Sequence, residues 1–493
     1  MTLVHRVLFP HAIESLEEYL ERGGGAGLEA ARGLEPEAIV AQIEASGLRG
    51  RGGAGFPTGR KWRTVAENRS PLEPAVVVVN GAEGEPSTFK DRAILRSDPH
   101  QVVEGALIAA RAVGADTAIF ALKRSFRSEV GRLRAAVDEF QAADLRGGVQ
   151  LAVFEGPAEY LYGEETALLE AIDGRHPFPR IAPPYRRGVE EVFETKADVR
   201  AAQEGSGLSA HVDMAGPTGA TGAAPTLVNN VETMANVPRI LSRGAAWLRT
   251  EGTEQSPGTI VCTITGCTQR HGVGEVPMGT PLRQVIEAVG GGPRPGRRIK
   301  AVLPGVANAL VPEDLLDTPA SYEGMAAAGS GLGAGGFMVL DDTVDLTAIA
   351  AGVSRFLAVE SCGQCTPCKQ DGLALSGLLA RLSASDQHGR DLLASIEVLL
   401  STVANEARCY LASQHQTVLT SVLERFPAEL QAHASGRAAA LAPELIAELV
   451  DIRDGVAVLD ERHRDKQPDW TYGPEYSGKS PADVLDEHRD HRP

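Results

Sequence analysis

Apolar positions along this chain follow two alternating rhythms. Ala75–Val79 is a short β-branched run without polar interruption, the pattern of a strand buried on both faces of a parallel sheet. Residues 36–45, opened by Pro36, read as an amphipathic helix. Residues 103–113 read as helix, 117–122 as strand and Gly148–Phe154 as strand, and a further helix begins near Gly163-Glu164. This β–α–β alternation predicts an α/β domain with helices on both faces of its sheet.

The rhythm breaks over 186–224, which runs through Gly-Ser-Gly and Gly-Pro-Thr-Gly-Ala-Thr-Gly-Ala-Ala and reads as a long insertion with a flexible end. Residues 258–290 return to short strands, a turn and one helix (Pro281–Val289), the make-up of a small β-grasp-like module. A Gly/Pro-rich stretch follows to 335. From about 345 to about 460 the pattern is helical, and Arg464–Pro493 is polar and expected as a tail. The expected units are 1–245, 256–335, 340–460 and 464–493, with no internal repeat.

Composition narrows the function classes. Asp and Glu number 65 against 48 Lys and Arg, a net charge of −17, which argues against a nucleic-acid binder. The N-terminus lacks a signal-peptide pattern. No stretch has the apolar length to span a bilayer, so membrane association is expected only through partners. Six cysteines in 493 residues do not suggest a disulfide framework. Cys262 and Cys267 lie at odd separation in the strand-like Thr259–Cys267, so they point to opposite faces and are expected in the core, unbridged.

The other four cysteines carry chemistry. Cys362, Cys365 and Cys368 form a Cys-x-x-Cys-x-x-Cys run, and Cys409 follows alone. Two-residue spacers let three thiolates converge, and a remote fourth closes the shell of a [4Fe-4S] cluster; zinc prefers paired knuckles. Reduced structural thiols are the bland alternative. Thr366 and Pro367 look like the cap and first turn of a helix over Lys369–Leu382, whose partly positive N-terminus suits an anionic cluster.

Gly50, Gly52 and Gly55 satisfy G-x-G-x-x-G, but a helix precedes them and Phe56-Pro57 follows, so the loop is not an ordinary Rossmann turn. It reads as bare backbone lying against a flat or phosphorylated ligand, with Lys61 countering charge; a tight surface loop is the bland reading. Three more segments occur with it: Asn80–Arg92 at a strand's carboxyl end, Tyr160–Thr166, and Thr226–Thr233. Singly, each could be a capped turn. Their joint occurrence points to a ligand site.

Taken together, Arg49–Trp62, Asn80–Arg92, Gly163–Leu169, Asn229–Thr233, Gly329–Asp342 and Glu360–Cys368 resemble the NADH-oxidising flavoprotein subunit (the bacterial F-type chain) of respiratory complex I and its relatives in NAD-linked hydrogenases and formate dehydrogenases. The resemblance runs from about Ala41 to Cys409. It implies a Rossmann-like FMN/NADH domain, a β-grasp-like module of SLBB type and a C-terminal helical bundle with one [4Fe-4S] cluster on Cys362, Cys365, Cys368 and Cys409. It implies FMN held by the loop of Gly50, Gly52, Gly53 and Gly55 and by Lys61, Asn80, Glu83, Tyr160, Gly163, Glu164, Val228, Asn229 and Asn230. It implies NADH near Phe56, Lys61, Glu85 and Glu165, with Tyr185 flanking the adenine and Glu85 and Glu165 orienting the nicotinamide.

Four departures mark a divergent branch. Ala82 stands where the family carries an acid, Tyr162 where it carries a cysteine, and Tyr410-Leu-Ala-Ser where a small, glycine-containing stretch follows the last cysteine. The insertion after Tyr185 is about thirty residues longer than the family's connection.

The expected activity is hydride transfer from NADH to FMN, then single electrons through the cluster to a partner. The rivals are a non-catalytic electron-transfer or scaffold subunit that keeps the cluster, and a zinc-stapled nucleotide-binding module. With no second cysteine cluster, the electrons leave to another polypeptide: a thioredoxin-like [2Fe-2S] subunit, a multi-cluster iron–sulfur subunit or a ferredoxin. The expected location is cytoplasmic, peripheral to a membrane through a larger complex.

Overall fold

The computed structural model describes residues 3–69, 74–181, 183–184, 188, 223–385, 389–473 and 475–490. Tyr185 and nearly all of the expected insertion at 186–224 lie outside the described residues.

Strands β1 (Ala75–Gly81), β2 (Ala115–Lys123), β3 (Gln150–Gly156) and β4 (Thr226–Asn230) form one parallel sheet in the order β3-β2-β1-β4. Alternation along β1 explains its unbroken apolar run. Val77 and Val79 pack into one core with the helices Pro99–Val113 and Val231–Arg243, and Val76 and Val78 into another with Leu168, Leu169 and Ile172. The helix Pro99–Val113 starts where Asp98 accepts from the amides of His100 and Gln101, and stops at Gly114 (φ +70°). In register, Asn80 at the end of β1 stands opposite Asn230 at the end of β4. The ligand-bearing segments therefore leave the carboxyl edge of the sheet together.

A second sheet holds β5 (Thr259–Gly266), β6 (Gly272–Pro277), β7 (Ile299–Leu303), β8 (Val311–Pro312) and β9 (Gly336–Asp341) in the order β6-β5-β9-β7-β8. Only the β5–β9 pair is parallel. The helix Leu282–Gly290 packs on it. Strand β9 is integral to this sheet, so the unit runs to Asp341 and not to 335. Cys262 is buried in its core; Cys267, just past β5, is only half-buried, and both are free thiols.

Helices Leu346–Glu360, Thr366–Ser383, Gly389–Thr402, Leu411–Arg425 and Pro427–Ala434 pack around a third core. Cys365 is the cap of the second helix, and Thr366 is already its first residue. The helical pattern ends earlier than the expected 460. β10 (Leu449–Arg453) and β11 (Val456–Leu459) form a hairpin instead, turning at Asp454 (φ +50°) and Gly455 (φ +75°), a dipeptide suited to a tight two-residue turn. Nor is the C-terminal segment a free tail. Lys466 is buried against Glu360 (2.6 Å), Ser480 is buried, and a helix spans Pro481–Asp490.

Candidate active site and cysteine centre

The glycine loop closes on itself where Gly50 N donates to Phe56 O (2.8 Å) and Tyr322 donates to Gly50 O (2.6 Å). Gly55 has φ +63° and lies under the Tyr322 ring, so a side chain there would meet both strain and the ring. Gly53 has φ +131° and faces open space, and Phe56 presents an aromatic face that is 47% exposed. A Cβ on Gly52 would stand 3.2 Å from Asn230. Bare backbone beside open space and an exposed ring fits a flat cofactor.

Three elements converge on that loop. Lys61, in the helix Thr58–Asn68, donates to Val228 O (2.9 Å) and pairs with Glu165. Trp62 donates to Asn229 Oδ1 (2.8 Å). Asn80 donates to Gly163 O (2.9 Å) and accepts from Ala82 N (3.1 Å). Lys61, Asn80, Gly163, Glu165, Val228, Asn229 and Asn230 are thus brought together.

Some expected ligand side chains are already committed. Glu83 accepts from Arg92 Nε (2.9 Å) and Asp91 N (3.2 Å), facing inward. Glu164 caps the helix Glu165–Ile172 through Thr166 N (3.0 Å) and Ala167 N (2.8 Å). At Glu83 both carboxylate oxygens are taken, whereas at Glu164 the bonds fall on Oε2. Beneath them, Lys90 bonds Asp91 (2.7 Å) and Asn230 Oδ1 (3.1 Å) and pairs with Glu232 (3.0 Å). Burial works against the Lys90 charge, but Asp91 and Glu232 hold its pKa above the ordinary value. This buried charge network orients Asn230, whose amide also donates to Asp91 Oδ2 (2.7 Å). Lys90 and Asp91 lie inside a motif noticed in the sequence, yet their bracing role needs contacts more than a hundred residues away.

Tyr162 is fully buried, its hydroxyl 3.4 Å from Leu122 O and its ring against Gly156. It occupies the sheet core alongside Ala82, Phe154 and Leu168. Two residues earlier, Tyr160 reaches Glu85 (2.5 Å) and Gln414 (3.3 Å), and Val306 N also donates to Glu85 (2.6 Å). Burial raises the Glu85 pKa despite both bonds. Leu161 lines the cavity that holds Cys362, Cys365, Cys368 and Cys409. The turn Tyr160–Gly163 therefore touches the glycine-loop site on one side and the thiols on the other.

All four thiols share that cavity. Cys362 and Cys368 are buried; Cys365 and Cys409 are half-buried. Burial pushes the Cys368 thiol up to about 11 and the Cys409 thiol to about 12. Ser361 Oγ lies 3.3 Å from Cys368 Sγ, and Gln364 donates to Cys362 Sγ (3.5 Å). Among the described residues no three His, Cys, Asp or Glu side chains are grouped closely enough to hold one metal ion. A cubane cluster takes one thiolate on each of its four irons. Four thiols around one cavity fit the cluster.

Fold and site define a nucleotide-type redox protein: a parallel-sheet cofactor domain joined to a four-cysteine iron–sulfur module. Residues 43–239 match the Nuo51 FMN-binding domain, and residues 348–433 match the iron–sulfur binding region of NADH-ubiquinone oxidoreductase-F. The chain belongs to the F-type family of NADH-quinone oxidoreductase subunits. It is 35% identical to the second F-type NADH-quinone oxidoreductase subunit of Rhizobium meliloti (strain 1021) over 432 residues, 86% of this chain and 95% of the relative. It is 34% identical to the F-type subunit of Streptomyces coelicolor (strain ATCC BAA-471 / A3(2) / M145), covering 86% and 89%. Among solved structures it matches an NAD+-reducing [NiFe]-hydrogenase in the H2-reduced state, with TM-score 0.71 and 30% identity over 88% of this chain and 68% of that one. Among the described residues no helix is long and apolar enough to cross a membrane.

Proposed function

We propose that this chain oxidises NADH on FMN and delivers single electrons through one [4Fe-4S] cluster to a partner redox subunit. FMN, when bound, supplies the hydride acceptor and the conversion from two-electron to one-electron chemistry. The protein's own residues bind and orient. The arch of Gly50, Gly52, Gly53 and Gly55 gives the ring system close backbone approach. Lys61 balances anionic charge, Asn80, Asn229 and Asn230 fix the cradle walls, and the backbone at Glu83, Gly163, Glu164 and Val228 supplies polar contacts. Phe56 offers a stacking face to the dinucleotide, with Tyr185 as its aromatic counterpart. Glu85, anchored by Tyr160, and Glu165, anchored by Lys61, orient the nicotinamide. Cys362, Cys365, Cys368 and Cys409 ligate the cluster.

The observation that carries this reading is the turn Tyr160–Gly163, which bonds into the cradle through Gly163 O and lines the thiol cavity through Leu161. It supports a flavin site and a cluster site on opposite sides of one turn, the proximity that electron transfer between them requires. The rival non-catalytic reading needs Tyr162 and Ala82 to spoil the flavin site; both side chains lie in the sheet core, which favours the catalytic reading.

The 256–341 unit, a hairpin followed by a helix and a strand parallel to β5, is read as a β-grasp module of SLBB type. The acceptor is a thioredoxin-like [2Fe-2S] subunit, a multi-cluster subunit or a ferredoxin, in a complex peripheral to the membrane. Anaerobic stopped-flow with NADH and with NADPH tests the activity: the flavin band bleaches first and the broad cluster band follows. A purified, flavin-loaded protein that neither nucleotide bleaches rules it out.

A further inference from the structure

Lys369 follows the third cysteine of the run and is only 5% exposed. Its ammonium donates to three main-chain carbonyls: Ala358 O (3.1 Å), Ser361 O (2.8 Å) and Pro468 O (2.5 Å). A buried cation held by neutral carbonyls is costly unless an anion lies close by. Ser361 precedes Cys362 in the chain and its hydroxyl lies 3.3 Å from Cys368 Sγ, and these two cysteines are the buried ones.

The third carbonyl comes from a segment a hundred residues further on, and that segment is firmly seated. Arg355 donates to His463 O (2.8 Å), Arg464 O (2.7 Å) and Lys466 O (3.2 Å). Lys466 pairs with Glu360, two residues before the first cysteine. Ala482 N donates to Cys362 O (2.9 Å), and Ser480 packs where a side chain on Gly363 (φ +88°) would stand. The C-terminal segment thus touches the cysteine loop at Cys362, Gly363 and Lys369. It covers the side of Cys362 and Cys368 and leaves that of Cys365 and Cys409 more open.

We propose that Lys369 is a positioning residue for the cluster. Its charge, pinned against the Cys362–Cys368 side by residues 461–473, favours the reduced, more negative cluster, while residues 475–483 shield that side from water and so limit loss of iron. The inference rests on the iron–sulfur reading above.

The test is an EPR-monitored redox titration of the cluster in the full chain. At a fixed poise, Lys369→Met lowers the ratio of reduced to oxidised cluster at least about tenfold (59 mV for a one-electron couple), and Lys369→Arg restores it to within about threefold of wild type. Lys369→Gln gives the same reading if the Met variant does not accumulate. The seal is tested by iron release to a ferrous chelator. Ala482→Pro, which deletes the donor to Cys362 O at a helix position that tolerates proline, and a chain ending at Gly473 both release iron at least about tenfold faster. An intact cluster with unmoved potential in Lys369→Met or Lys369→Gln overturns the electrostatic role. Unchanged release from both C-terminal variants overturns the seal. A wild-type protein with no cluster signal would overturn the iron–sulfur reading instead.

Discussion

Asn80 donates through Nδ2 to the carbonyl of Gly163 at 2.9 Å, tying the end of β1 to the turn between the two proposed cofactor sites. Its Oδ1 accepts from Ala82 N (3.1 Å), so one side chain fixes both strand end and turn. Asn80→Ala leaves two backbone groups without their partner, at about 1–2 kcal/mol. The expected outcome is flavin affinity weaker by roughly tenfold with little change in global melting. Flavin retained after dialysis measures it; full retention would show that the tie is dispensable.

Lys61 sits between Val228 O and the Glu165 carboxylate. In the proposed site its charge serves an anionic ligand, and a charge effect is screened by salt. Lys61→Met is expected to weaken FMN binding about tenfold at low ionic strength, and the gap should narrow as salt shortens the Debye length. Quenching of FMN fluorescence in a salt series gives the comparison. A defect independent of salt would assign Lys61 a packing role.

The parts legible from the sequence were those encoded locally. The run in β1 announces itself because both faces are buried, and the cysteine spacing because three thiols recur every third residue. The hairpin over 449–459 was hidden by apolar residues continuing from a helical region, although Asp454-Gly455 carried a turn signal. The seating of 461–483 was hidden for a different reason. Its anchors are a buried Lys466–Glu360 pair and backbone bonds to Arg355, and neither leaves an apolar rhythm. Trp62 with Asn229, and Tyr322 with Gly50, depend on residues 167 and 272 positions apart, which no local pattern reports.

Cys409, the proposed fourth ligand, lies outside the run yet shares the cavity of the other three cysteines. Cys409→Ala is expected to abolish the reduced-cluster EPR signal, whereas Cys267→Ser, in the second sheet unit, should leave it unchanged. An undiminished signal in Cys409→Ala would remove it from the ligand set.

His415 is buried, with Nε2 2.7 Å from Ser354 Oγ, and burial lowers its pKa to about 3. The folded protein therefore keeps it neutral, while the unfolded chain binds a proton below about pH 6.5. Its contribution is fully present above that pH and is lost as pH falls toward 3, at about 1.4 kcal/mol per unit. Against His415→Gln, the wild type's stability advantage should shrink by about 2 kcal/mol between pH 7 and pH 5. Urea unfolding at the two pH values reads the difference, and parallel slopes would contradict a neutral buried imidazole.

Gly55 separates backbone shape from side-chain chemistry at the glycine arch. Its φ of +63° disfavours any side chain, and a Cβ would also drive into the Tyr322 ring. Gly55→Ala therefore either tilts Tyr322, breaking its bond to Gly50 O, or opens the arch. Tyr322→Phe removes that bond but keeps the ring and the glycine. If the arch matters through its conformation, Gly55→Ala loses most bound flavin while Tyr322→Phe keeps most of it, since one hydrogen bond is worth about 1 kcal/mol. The reverse order would mean that the Tyr322 hydroxyl, and not the bare backbone, holds the loop in its ligand-ready shape. Flavin-to-protein ratio and cluster absorbance taken on the same samples make the comparison, because an intact cluster in both variants confines the damage to the cradle.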